Sequence, residues 1–439
     1  MARRLLIAGT AAAVAAAVLA LGGLWHRTPA VASAGDVLPA AVAAELQKGF
    51  AAGDTEAEIA GLQAELRADP KNVKALDTLG LAYEQRVRET GDATYYTKSE
   101  GILREALSLE PRDLIATAGL GQLALSRHRF RLALALGRRA HAISPTTAGV
   151  YGVIGDAELE LGRYAKAFKA FDRMAAMKPD VSSYARVSYA RELLGHIPAA
   201  ERAMALAASA AVGAREASSW THAQLGLLYL GHGRPRLALD QLEIAVDLDP
   251  TYYFALDGMA QVQASLGHLW EAIGYERRAV DRVPLPQQVG LLGDLYRAVG
   301  DHVDAQRQYA LIGVIERVLA ANGVKNDLDI ALFDADHGMA LPHALELARK
   351  GYADRPSIFG DDVLAWTLAR NGQCRAALPY SERSLRLGTQ DALKFFHRGW
   401  IAACLGDTRG TAVWYRRALA LNPRFSVLWS SVAAKGAHR

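Results

Sequence analysis

Small and large apolar residues recur along most of this chain in one fixed order. Between 148 and 181 the order is Ile154-Gly155, Gly162, Tyr164, Ala167, Phe171 and Pro179. Between 219 and 252 it is Leu225-Gly226, Tyr229, Gly233, Ala238, Ala245 and Pro250. The stretches 114–147 (Leu120-Gly121, Ala133, Ala140, Pro145) and 253–286 (Met259, Gly267, Ala272, Ala279, Pro284) keep the same phase. Pro111, Pro145 and Pro179 stand 34 residues apart, as do Pro250 and Pro284. A fixed period of this length predicts a stacked array of helical hairpins. Gly121, Gly155 and Gly226 let the two helices of a hairpin approach closely. Gly162, Gly233 and Gly267 end the first helix in a left-handed turn. Phe171 and Leu242 fill the space between units, and each proline stops the second helix and biases the preceding residue toward extended backbone.

The period slips at four places. Pro70 to Pro111 is 41 residues, which predicts a 7-residue insertion around Arg86–Tyr96. Pro179 to Pro250 is 71, and the Ala/Ser-rich stretch Ala207–Ser219 reads as a lengthened helix or loop within an irregular unit, 182–218. Pro284 to Pro356 is 72, with the extra residues placed near Ala320–Asn326, and Pro356 to Pro423 is 67. Glu56–Pro70 reads as a leading half-unit helix and Ser426–Lys435 as a closing cap helix, which covers the apolar face of the last unit.

The landmarks resemble those of the tetratricopeptide repeat over roughly residues 73–425. The resemblance implies an all-α fold: a right-handed α-solenoid of about ten helix-turn-helix units with a C-terminal cap helix. The expected organisation is a leader with a half-repeat helix at 35–72, the array at 73–425, and a cap helix and tail at 426–439. In this family the first helix of each unit lines a concave groove that holds a protein or peptide. Carried onto the last units, that rule selects Asp329, Phe333, Asp336, His337, Phe359, Asp362, Trp366, Phe396, His397 and Trp400, with Trp220, Gln224, Asp257, Gln261 and Asp294 continuing the wall. Aromatics beside carboxylates suit an extended segment with apolar and basic side chains; the other reading makes half of the aromatics packing residues. Family members that clamp a chaperone's C-terminal carboxylate use Lys and Asn where this chain has Ala118, Gln122 and Gly152, so that function is not supported.

The first residues change the picture of location. Arg3-Arg4 precede an uncharged run, Leu5–Trp25, of 21 residues, long enough to span a bilayer. Ala32-Ser33-Ala34 then offers a small-residue cleavage site. Residues 1–34 are thus a signal peptide or an N-terminal membrane anchor; both place the repeats outside the cytoplasm, secreted, periplasmic or tethered, and the composition suggests a bacterium. The membrane is contacted only through residues 5–25, and only if they are retained. Removing residues 1–34 removes three arginines and no acid, taking the formal charge from +4 to +1. A chain so nearly neutral lacks the global basicity that a nucleic-acid partner demands.

Candidate chemistry is sparse. Cys374 and Cys404 fall at helix ends that the repeat brings close, so they are a disulfide candidate in an oxidising compartment; two buried thiols is the alternative. Gly119-Leu-Gly121-Gln-Leu-Ala124 mimics a dinucleotide fingerprint but lies inside a helix, without the preceding strand that motif needs. Asp334-Ala-Asp336-His337 reads as a polar helix end before it reads as a metal site. Arg127-His128-Arg129, Arg131, Arg138-Arg139 and His141 form a basic run, read as a solvated outer face or a surface for an acidic partner. With repeats running to the C-terminus, no catalytic domain, cofactor or metal is expected. The leading expectation is a non-enzymatic scaffold binding in its concave groove; the alternative is an envelope-complex assembly factor using its convex face or edges.

Overall fold

The computed structural model describes residues 55–438, and the segment 1–34 together with most of the 35–72 leader lies outside the described residues. Within them the chain forms 22 helices and no strand. A leading helix, α1 (Thr55–Ala68), precedes ten hairpins. The first five are α2 (Val73–Thr90) with α3 (Thr94–Leu109), α4 (Leu114–Ser126) with α5 (Phe130–Ile143), α6 (Ala148–Glu160) with α7 (Tyr164–Met177), α8 (Val181–Leu193) with α9 (Ile197–Ala210), and α10 (Arg215–Gly231) with α11 (Pro235–Leu248). The second five are α12 (Tyr253–Leu266) with α13 (Leu269–Arg282), α14 (Pro286–Ala298) with α15 (His302–Ala321), α16 (Asp327–His337) with α17 (Leu341–Asp354), α18 (Ile358–Arg370) with α19 (Cys374–Ser384), and α20 (Ala392–Cys404) with α21 (Thr408–Leu421). α22 (Ser430–Ala437) closes the array. The molecule is therefore an all-α solenoid of tetratricopeptide-repeat type.

The local chemistry follows the period. The residue before most repeat prolines caps a second helix in extended geometry, as at Ser144 (φ −140°, ψ 96°) and Asp249 (φ −143°, ψ 93°). Half of the first helices start on side-chain caps, such as Asp113, which accepts from the Ala116 amide at 2.6 Å, and the Asp180–Ser183 capping box. Both helices of a hairpin contact the next unit, so first helices such as α4 bury residues on almost every side while second helices bury one stripe. The insertions lie mostly in helices: α2, α10 and α15 run to 18, 17 and 20 residues, where most first and second helices have 13 or 14. The closing helix begins at Ser430 and not at Ser426, because the Ser426 hydroxyl accepts from the Leu428 and Trp429 amides and holds a turn there.

The coil closes on itself. Ile358 N–H donates to Tyr164 Oη (2.6 Å), Thr389 Oγ1 donates to the Leu193 carbonyl (2.5 Å), and Asn422 Nδ2 donates to the Leu230 carbonyl (2.9 Å). These partners lie 192–196 residues apart, so one superhelical turn takes a little under six units and successive turns touch through their loops. Ile358 also joins the apolar cluster of Leu159, Tyr164 and Phe171 in the turn before it. The basic run read as a solvated face is corrected here. Arg127 and His128 are buried; His128 Nδ1 donates to the Lys325 carbonyl (2.9 Å), Arg129 Nε to the Gly323 carbonyl (3.1 Å) and Arg131 to the Ala353 carbonyl (2.8 Å). Arg131 stays exposed while it bridges to the next turn, and Arg138 and Arg139 keep an outer position, bonded to Glu158 and the Pro111 carbonyl. His128 occupies the repeat position that Gly162 fills one unit later and adopts the same left-handed backbone (φ 55°), a strain held by its contact with the next turn.

Gly162 (φ 72°) sits at such a contact, and a methyl group there would overlap the Pro356 carbonyl oxygen. Gly300 (φ 88°) has the same handedness with open space around it. Gly300→Ala is expected to cost about 1 kcal/mol from backbone strain alone, and Gly162→Ala about 1–3 kcal/mol beyond that from forced separation of the turns. Urea unfolding of the two variants measures the difference; equal losses would mean the turns do not bear on each other at Gly162.

Candidate functional site

First helices of most successive units touch one another as well as their own second helices, so they line the interior of the coil. Between α12, α14 and α16 that interior opens into a cavity of about 270 Å³. Its walls combine apolar side chains (Leu291, Ile312, Phe333) with the carboxylates Asp294, Glu316, Asp329 and Asp336. The chain's own C-terminal connection, Asn422–Leu428, forms one side. Arg424, whose guanidinium donates to the Ser265 carbonyl (3.3 Å), is the sole lysine or arginine in the lining.

The polar groups are unevenly satisfied. His337 donates from Nδ1 to the Phe333 carbonyl (2.7 Å) and from Nε2 to Asp294 Oδ1 (2.7 Å), and Tyr309 Oη donates to the same oxygen (2.9 Å). Burial opposes charge on His337, but the Asp294 hydrogen bond and the Asp294 charge outweigh it and hold the imidazole above its ordinary pKa. Asp336 Oδ1 accepts from Trp366 Nε1 (2.9 Å) and Trp429 Nε1 (3.0 Å). Asp329 is 8% exposed, its Oδ1 has no hydrogen-bond partner, and its Oδ2 lies 3.8 Å from His128 Nδ1. Burial pushes its carboxyl up to about 7 against the pull of Arg355. Burial, with Asp334 and Asp329 adding to it, pushes Glu316 up to about 7 as well.

The ten residues that the sequence placed along one groove divide into two groups. Asp329, Phe333, Asp336 and His337 line the cavity, joined by Asp294 and Gln261 from the continuing wall. Phe359, Asp362, Trp366, Phe396 and His397 are buried at 0–4% exposure and are packing residues in this fold, and Trp400 is half-buried beside them. For Trp366, Phe396 and Trp400 the reason is the C-terminal connection, which turns into the coil and seats Trp429 against them, whereas Phe359 lies under the Arg355 guanidinium. Trp366 has Trp400 and Trp429 at 5.5 and 5.6 Å and stacks on His397 at 4.2 Å, while Phe396 stacks on Trp429 at 5.3 Å. Arg370 lies 5.2–5.5 Å from the three indoles. His397 Nδ1 meets Asp362 Oδ2 at 3.1 Å inside this core. Trp220 and Asp257, from the continuing wall, are buried too. Sequence reasoning missed Glu316, Trp429 and Phe425: Glu316 sits on a second helix, outside the first helices to which the family rule assigns the groove, and the other two follow α21, the last hairpin helix. The lengthening of α15 was the one available signal for Glu316.

Cys374 and Cys404 form a disulfide with Cα atoms 6.1 Å apart, joining the start of α19 to the end of α20. Asp334-Ala-Asp336-His337 ends α16, with Asp336 and His337 committed as above. The glycines of the 119–124 stretch lie inside α4 against Leu103 and Val153.

No family model and no curated protein matches the chain. Among solved structures it is similar to the human IFIT1 dimer with PPP-AAAA, at 14% identity over 87% of this chain and 89% of that one, TM-score 0.46. The APC/C hetero-tetramer Cut9-Hcn1 is similar at 12% identity over 91% and 95% of the chains, TM-score 0.38. YrrB, a TPR protein with an unusual peptide-binding site, is similar at 14% identity over 44% of this chain and 95% of that one, TM-score 0.28. Likenesses this distant concern the helical-repeat architecture alone. What the fold defines is the class: an α-solenoid whose concave interior holds a small acidic cavity.

Proposed function

We propose that the protein is a non-enzymatic scaffold that holds a protein or peptide segment in its concave interior, outside the cytoplasm of a bacterium. The observation that carries this reading is the cavity itself: first helices of three consecutive units and the half-buried Glu316 converge on one space with both apolar walls and carboxylates. The location is supported by the sequence of residues 1–34 and by the Cys374–Cys404 disulfide, which suits an oxidising compartment. The alternative, an assembly factor working through its convex face, is favoured by one observation: Trp270 is 66% exposed, and Val303, Val314 and Val318 are exposed on α15.

A photo-crosslinking residue placed at Phe333 or at Trp270 of the full-length chain, in its native cells, separates the two. Attachment of a protein segment from position 333 and not from 270 is expected, identified by mass spectrometry of the adduct. Attachment from 270 alone would transfer the binding surface to the convex face. Recovery of the chain in the cytosolic fraction of the same cells would overturn the location.

A further inference from the structure

We infer that the cavity is a specificity pocket for one cationic side chain, a lysine or arginine of the bound segment. The inference rests on the scaffold reading above and adds the chemistry of its ligand. Size is the first argument. About 270 Å³ falls just short of the roughly 300–1,000 Å³ that small-molecule pockets span, a space that suits one long side chain.

Charge is the second. Four carboxylates, Asp294, Glu316, Asp329 and Asp336, meet two basic groups in the lining, and both of those are engaged: His337 with Asp294 and Arg424 with the Ser265 carbonyl. One oxygen of Asp336 is taken by two indole N–H groups. Glu316 and Asp329 are left without a cationic partner inside the cavity. The third argument is independent of the acidic count. Asp329 is more than nine-tenths buried on the cavity wall and its Oδ1 has no donor. Oδ1 is itself closed off from solvent, so an entering guanidinium or ammonium acts on Asp329 through its charge, which no hydrogen-bonded cation offsets. Among the described residues no three His, Cys, Asp or Glu side chains are grouped to hold a metal ion, so an extended organic cation fits the spacing better than a point charge. Leu291, Ile312 and Phe333 supply the apolar wall along which such a side chain lays its methylenes.

Protonation gives a second readout. Asp329 is faced by His128, Glu160, Asp327 and Arg355, and Glu316 by Asp334, Asp329 and Arg317. Burial drives His128 down to about 4, so it stays neutral near pH 7 and does not compensate Asp329. The two carboxyls titrate near pH 7, and a cation binds their ionised forms, so binding strengthens as pH rises from 6 to 8.5 and releases protons.

The test titrates the full-length protein with acetyl-arginine amide, acetyl-lysine amide, the neutral isostere acetyl-citrulline amide, and spermidine. The cationic amides are expected to bind roughly tenfold or more tightly than the citrulline amide, with the preference lost in Asp329→Asn and Glu316→Gln. Asp329→Asn is expected to keep or raise the thermal midpoint, because it removes a buried unpartnered carboxylate, so its loss of binding is separable from unfolding. Equal binding of the arginine and citrulline amides, unchanged binding in both variants, or binding that weakens with rising pH would each overturn the pocket. Spermidine binding far more tightly than either amide, with no protein attached at position 333, would overturn the side-chain assignment in favour of a free polyamine. Attachment at 333 with no binding of any cationic probe would overturn the pocket while leaving the scaffold reading standing.

Discussion

Arg355→Met is expected to destabilise the protein by about 3–5 kcal/mol, the loss that follows when one partner of a buried ion pair is removed. Arg355 donates from Nε to Glu160 Oε2 (2.5 Å) and from Nη2 to Glu160 Oε1 (2.9 Å), a bidentate pair across 195 residues of chain. Both side chains are about 95% buried, with the guanidinium 4.4 Å from the Phe359 ring and 5.5 Å from that of Phe130. Burial works against the charge, but Glu160 prevails and holds the Arg355 pKa above its ordinary value. Without Arg355, Glu160 loses the guanidinium that pairs with it between two superhelical turns, and Asp329 loses the cation that draws its carboxyl down. The double variant Glu160→Met/Arg355→Met is expected to recover most of the loss, since apolar groups of similar volume commonly replace a buried pair at little cost. Urea unfolding of the two single variants and the double forms the cycle. A loss under about 1 kcal/mol for Arg355→Met would show that the pair does not tie the turns together.

Trp366→Ala is expected to cost about 3–5 kcal/mol as well, by a different route. Its side chain is fully buried amid Phe396, His397, Trp400 and Trp429, and alanine leaves a cavity that rigid neighbouring rings cannot collapse into. The indole N–H to Asp336 is the smaller part, because Trp429 still donates to the same oxygen. Trp366→Phe, which refills most of the space, is expected to lose about half as much or less. Chemical unfolding followed by far-ultraviolet circular dichroism measures both; an alanine variant as stable as the parent would mean that the cluster is open and that Trp366 is free to meet a ligand. An alanine at 366 therefore reports first on the fold of the C-terminal units, and substitutions at Phe333, Glu316 or Asp329 report on the interior surface.

Each repeat landmark acts over a few residues: a proline sets its own φ and restrains its neighbour, and a glycine permits one left-handed turn. Such effects are readable in a chain with no coordinates, and the helices end where Pro145, Pro179 and Pro250 require. The proximity of Cys374 and Cys404 followed from the geometry of adjacent units for the same reason. The partition of the concave aromatics did not follow, because Trp366 and Phe333 occupy comparable positions on their helices. What separates them is Trp429, which belongs to no repeat and reaches Trp366 across 63 positions of chain. His128 and Arg127 carried the ordinary signature of a wet surface, and no pattern within their own hairpin marks a neighbour 197 residues away.

The sequence by itself determined the helices, their pairing into hairpins, the all-α solenoid and the proximity of the two cysteines, because each rests on contacts within one unit or between adjacent units. The tertiary structure alone decided that the turns touch, that Glu160 finds Arg355, that half of the expected groove is core, and that the remaining space is a small acidic cavity. Those outcomes depend on the rotation between units summed over nearly six of them. A small angle at each step, set by side-chain packing all along the coil, moves the far loops by more than the width of a contact.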